Sequence, residues 1–102
     1  MKVIDSKEFE KVIKSEDLII IDLYADWCVP CKSLEPVLKK LSSEFENVKF
    51  YKVNVEKSPE IAARFHISSI PYLLFFKNGK IIHGINGVVT EKELRRIISS
   101  FI

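Results

Sequence analysis

The longest apolar stretch of the chain, Leu18-Ile19-Ile20-Ile21-Asp22-Leu23-Tyr24-Ala25, is a nearly continuous run of strand formers broken by one carboxylate. A run without alternation predicts a central strand covered on both faces, and so the middle of a sheet. Ahead of it, Met1 to Ile4 can form a short strand. Asp5 is placed as an N-cap with Glu8 three residues on, and Phe9, Val12 and Ile13 recur at helical spacing, which predicts a first helix to about Ser15. From Cys28 the period changes: Leu34, Val37, Leu38, Leu41 and Phe45 form the apolar stripe of a long amphipathic helix. Pro36 lies inside it and should kink it, since proline cannot bond the Lys32 carbonyl and crowds it. Val48 to Val55 reads as another strand. Ser58 then reads as the N-cap of a short helix from Pro59 to about Phe65, with proline at the first helical position. Ile70 to Phe76 is a strand with proline at its entrance, and Asn78-Gly79 turns it back into Ile81-Ile82, a strong hairpin signal. Gly84 and Gly87 bracket the end of that last strand, where a bulge or a close backbone approach is expected. Thr90 and Glu93 form a capping box for a final helix with Leu94, Ile97, Ile98 and Phe101 facing inward. The order is βαβαβαββα, an α/β chain with a mixed central sheet and helices on both faces.

Composition narrows the reading further. A chain of 102 residues, 47% hydrophobic, is expected to be a single domain spanning residues 1–102. Sixteen Lys and Arg against fourteen Asp and Glu leave a net charge of +2 with the signs interspersed. Nucleic-acid binding, which calls for a clustered basic face, is not indicated. Nor is a membrane span, because no apolar run approaches about 20 residues. The first residues enter alternating and then helical patterning without an uninterrupted secretory h-region, so a cytoplasmic protein is expected.

Candidate chemistry lies in one place. Both cysteines, Cys28 and Cys31, stand at the end of the apolar strand and the start of the long helix, separated by Val29 and Pro30. C-x-x-C in a strand-helix alternation reads as a redox pair. The first helical turn offers unpaired N–H groups and the positive end of the dipole to a thiolate, so Cys28 is the expected nucleophile, with its thiol exposed. Cys31, deeper on the same side of the turn, is the expected resolving thiol. The alternatives are a structural pair or half of a zinc site; zinc would need two more ligands, and His66 and His83 do not fall in ligand spacing. Pro30 presets the helical turn, while the β-branched Val29 stiffens it and adds apolar surface. Asp22, inside an apolar strand, should resist ionisation and is a candidate acceptor for the Cys31 proton, unless it turns to a strand end. Asp26 should oppose thiolate formation slightly, and Lys32 favour it.

The run Asp22-Leu23-Tyr24-Ala25-Asp26-Trp27-Cys28-Val29-Pro30-Cys31-Lys32 resembles the thioredoxin family closely: its W-C-G-P-C stands here as W-C-V-P-C, preceded by D-x-x-A-x-W. The resemblance implies a thioredoxin fold over nearly the full length, with the first three strands parallel and the last two antiparallel. It makes Asp22 the family's buried aspartate and Lys52 the lysine that partners it; by itself Lys52 could be an edge lysine in solvent. Ile70-Pro71 matches the family's cis-proline loop, where the Ile70 backbone would meet an extended substrate and proline would keep a competing N–H and a metal-binding side chain away. Taken alone, Pro71 would read as an ordinary trans proline at a strand start. Trp27, otherwise a core aromatic, would join Ile70, Pro71, Gly87 and Val88 in a flat apolar docking patch around Cys28, with Val29 and Pro30 beside it. Tyr72 departs from the threonine common in the family and could alter this groove. The implied activity is reduction of protein disulfides by thiol–disulfide exchange, with no bound cofactor or metal. Electrons would come from NADPH through thioredoxin reductase, since the chain has no dinucleotide-binding glycine motif. A monomer is expected. Two rival readings are a disulfide oxidant or isomerase on the same fold and a non-catalytic binding adaptor.

Overall fold

The computed structural model describes residues 1–102. The elements are β1 (Lys2–Val3), α1 (Ser6–Val12), β2 (Leu18–Tyr24), α2 (Val29–Glu44), β3 (Val48–Asn54), α3 (Pro59–Arg64), β4 (Tyr72–Lys77), β5 (Lys80–Asn86) and α4 (Glu91–Phe101). Their order is the βαβαβαββα read from the sequence. One sheet holds all five strands as β1-β3-β2-β4-β5, so the continuous apolar run does lie at its centre. β3 pairs in parallel with both β1 and β2, whereas β4 runs antiparallel to β2 and β5 antiparallel to β4.

Apart from Asp22, the run is apolar because both faces of β2 are covered. Leu18 and Ile20 pack with Phe50 and Phe75 against Leu34, Leu38 and Leu41 of α2 and Leu94 and Ile98 of α4. Ile19, Ile21 and Leu23 pack with Leu74 and Phe76 against Phe9 of α1 and Ile61 of α3. By strand alternation, Asp22 belongs to the α2 face.

Local signals were redirected by tertiary contacts at several ends. α1 stops at Val12 rather than near Ser15, and the tip of the β4–β5 hairpin explains why: Gly79 N–H donates to the Ile13 carbonyl and Asn78 N–H to the Ser15 carbonyl. Asn78 and Gly79 both have positive φ, as a tight hairpin turn requires. Each capping box closes on one side only. Asp5 and Thr90 accept from the N–H groups of Glu8 and Glu93, but Glu8 turns to Lys2 and Glu93 to Arg96. Ser58 makes no side-chain cap. The turn into α3 is set instead by the Asn54 side chain, which accepts from Glu56 N–H at 2.9 Å and Lys57 N–H at 3.3 Å. α2 runs as one helix with Pro36 inside it.

The irregularity in the last hairpin falls between Phe75 and Phe76, opposite Ile82, not at Gly84 or Gly87. Gly84 has a different reason to be small: a Cβ there would stand 2.8 Å from Tyr72 Oη and 3.0 Å from its ring. Tyr72 therefore lies across β5. Gly87 has φ +89°, which disfavours a side chain although nothing lies within 4 Å of where one would begin.

Candidate active site

The end of β2 and the start of α2 converge on the dithiol. Cys28 is the N-cap of α2, in extended conformation, and its Sγ accepts the Cys31 N–H at 3.2 Å. Sulfur thus satisfies one of the N–H groups that a helix start leaves unpaired, and a thiolate at that position would also face the positive end of the helix. Cys28 and Cys31 are joined as a disulfide. The bridge is less accessible than expected: Cys28 is 3% exposed and Cys31 4%, packed with Ala25, Tyr24, Val55 and Ile70. The expectation of an exposed Cys28 above a deeper Cys31 is corrected for the oxidised state, because these neighbours enclose both sulfurs together.

The surface beside the bridge is apolar and open. Trp27 is 66% exposed, Val29 69% and Val88 56%, so Trp27 is no core aromatic. Pro30 is exposed as well, and Ile70 is half-buried. The Ile70–Pro71 bond is cis. Gly87 N–H donates to the Pro71 carbonyl at 2.8 Å, which holds the Gly87-Val88 segment beside that loop. Pro71 itself is buried and supports the patch from below instead of lying in it.

On the other side of Cys31 lies a cleft of about 280 Å³ lined by Asp22, Tyr24, Ala25, Asp26, Cys31, Lys32, Glu35 and Lys52. Asp22 is buried, its Oδ1 without a hydrogen-bond partner. Burial pushes its carboxyl up to about 7; the Lys52 charge acts against this and the Glu35 charge adds to it. Lys52 stands opposite Asp22 in the β2–β3 register, but it is not Asp22's hydrogen-bonded partner. Its Nζ bonds Glu35 Oε1 at 2.9 Å and lies 4.2 Å from the centre of the Tyr24 ring. The expected Asp22–Lys52 pair is therefore replaced by a Lys52–Glu35 pair, because an acceptor on α2 competes for the ammonium. Sequence reasoning passed over Glu35. Its spacing was the available signal, since it follows Cys31 by four residues and so shares its side of the helix. Asp26 and Lys32 line the same cleft. His66 is exposed, and His83 packs between Phe75 and Phe101, ring centres 5.3 and 5.5 Å away.

A bridged C-x-x-C at a strand-to-helix junction, next to a buried carboxylate and an open apolar surface, on a mixed sheet with helices on both faces, defines a thiol–disulfide oxidoreductase. Comparison with known proteins carries this further. The family model described as Thioredoxin matches residues 1–100. A thioredoxin of Chlamydia caviae is 38% identical over 99 residues, covering 97% of this chain and 96% of that one. The M-type chloroplastic thioredoxin of Pisum sativum is also 38% identical over 99 residues, 96% of this chain and 58% of its own. The X-ray structure of Fasciola hepatica thioredoxin superposes with a TM-score of 0.90 at 33% identity, covering 98% of each chain. The chain belongs to the thioredoxin family. It is a protein-disulfide oxidoreductase that uses its active-site disulfide and binds no cofactor, with disulfide-containing proteins as substrates and a reductase as partner in general terms. No helix is long and apolar enough to cross a membrane.

Proposed function

We propose that Cys28 and Cys31 reduce protein disulfides in two exchanges. In the first, the Cys28 thiolate attacks one sulfur of a substrate disulfide, and the other substrate sulfur leaves as a thiolate and takes a proton from solvent. In the second, the Cys31 thiol gives its proton to the Asp22 carboxylate, and the new thiolate attacks Cys28 Sγ. The bond between Cys28 and the substrate breaks, the second substrate sulfur leaves as a thiolate and takes a proton from solvent, to which Asp22 returns its own, and Cys28 and Cys31 are left bridged, two electrons poorer. The observation that carries this reading is the N-cap placement of Cys28 Sγ with Cys31 bonded to it, Cys31 itself lining the cleft that holds Asp22.

Substrate docks on Trp27, Val29, Pro30, Ile70, Gly87 and Val88, with Pro71 beneath. Two features support this: the apolar exposure of Trp27, Val29 and Val88, and the absence of Ile70 N–H and C=O from the main-chain hydrogen bonds outside the regular elements. An extended substrate can take both groups. Lys52 assists by steadying charge in the cleft. The chain acts as a monomeric single domain in cytoplasmic electron transport, recharged by thioredoxin reductase from NADPH. The pea relative is chloroplastic, so localisation is tested by fractionation of the source cells.

The reduction potential of the Cys28–Cys31 pair, measured by equilibration with glutathione or dithiothreitol, tests the direction of electron flow. The family's reference value is about −270 mV, against about −180 to −120 mV for proteins that introduce disulfides. A value near the low end is expected. One near the high end would replace the reductase reading with that of an oxidant or isomerase.

A further inference from the structure

Asp22 and Lys52 are direct neighbours on parallel strands and project to the same side of the sheet, where a buried carboxylate and an ammonium would ordinarily join. They do not. The ammonium lies 2.9 Å from Glu35 and against the Tyr24 ring, the Lys52 side chain only 14% exposed, and Asp22 Oδ1 is left without a partner. We propose that Glu35 is a positioning residue for Asp22: by holding Lys52 on the α2 side of the cleft it keeps the Asp22 carboxyl unpaired, and so sets the pH at which Cys31 resolves the mixed disulfide. This rests on the reading of Asp22 as the acceptor of the Cys31 proton.

The chemistry follows from what a base must do. A carboxylate bonded to an ammonium stays ionised and binds protons weakly, whereas a buried unpaired one binds them more tightly and can take one from a thiol. The groups that line the cleft with Asp22 are Lys52 from β3, Cys31, Lys32 and Glu35 from α2, Asp26 from the loop after β2 and Tyr24 from its own strand, and the apolar Leu73 stands opposite it on β4. Among them Lys52 favours the ionised form of Asp22 and Glu35 opposes it, while the bond to Lys52 holds Glu35 itself below the usual carboxylate range. Removing the Glu35 charge releases Lys52 toward Asp22 and removes a repulsion, and both effects favour ionised Asp22.

The test is an NMR titration of the Asp22 side-chain carboxyl carbon in the oxidised full chain, in wild type, E35Q, K52Q and E35Q/K52Q. E35Q should lower the midpoint by about one unit or more, roughly a tenfold loss of proton affinity. On the K52Q background the same substitution should lower it by much less. An unmoved midpoint in E35Q overturns the proposal. An equal fall on both backgrounds overturns it as well, since Glu35 would then act by its own charge and not by holding Lys52. Single-turnover resolution of a preformed mixed disulfide should shift to lower pH in step with the midpoint; a pH profile that stays in place while the midpoint moves overturns the functional half. D22N separates the underlying reading: if its resolution profile matches wild type, Asp22 is not the proton acceptor, and the titration still decides whether Glu35 controls its pairing.

Discussion

Replacing Asp22 by Asn should stabilise the oxidised protein by an amount that grows with pH. The native carboxyl holds its proton up to about 7, whereas in the unfolded chain it ionises near 3.8. Between those values the folded state binds a proton that the unfolded state has released, so raising the pH withdraws stability across this window. A rise from 3.8 to about 7, at about 1.4 kcal/mol per unit, corresponds to about 4 kcal/mol of lost stability once both states are ionised. Asn is nearly the same shape and does not titrate, so the variant should escape this loss. The oxidised form suits the measurement because it has no free thiols to titrate. Denaturant unfolding of both proteins at several values between pH 4 and 9 should give curves that diverge as pH rises, by about 4 kcal/mol over the range, with unchanged m-values. Parallel curves would refute the reasoning, since they would mean that Asp22 ionises in the fold as easily as in water.

The same substitution should slow resolution of the mixed disulfide, and a turnover unchanged from pH 6 to 9 would remove Asp22 from the mechanism. Val29→Gly loosens the turn between the cysteines and strips apolar surface from the patch; it should shift the reduction potential by up to about 30 mV, equivalent to about 1.4 kcal/mol, or alter reductase kinetics. If both stay as in wild type, Val29 has no such role. Gly84→Val drives its side chain into the Tyr72 ring and should cost about 1–3 kcal/mol in denaturant unfolding, most of it recovered when Tyr72 is also changed to Thr. An equal loss in both backgrounds would place the strain elsewhere.

Much of the site was legible because its chemistry is local. Cys28, Val29, Pro30 and Cys31 are contiguous, and the change from an unbroken apolar run to a helical stripe locates them at a strand-to-helix junction without any knowledge of distant contacts. Asp22 stood out for the same reason, as one charge among strand formers. Glu35 did not: on an amphipathic helix a glutamate looks like any solvated position, and only the arrival of β3 beside α2 brings Lys52 within 2.9 Å of it. Ser58 shows the opposite case: it does stand at the N-cap position of α3, but its side chain caps nothing, and the turn before the helix is held by Asn54 from the preceding strand.

By itself the sequence determined the order of elements, the buried central strand, the hairpin turn at Asn78-Gly79 and the dithiol at the head of α2. Hydrophobic period, turn chemistry and helix starts are properties of short segments, and short segments fix them. Tertiary structure alone decided the enclosure of both sulfurs, the close fit of Tyr72 over Gly84, the end of α1 against the hairpin tip and the partner of Lys52. Each of these is a competition between groups distant along the chain for one place or one hydrogen bond, and its outcome is set only when the sheet and helices bring the competitors together.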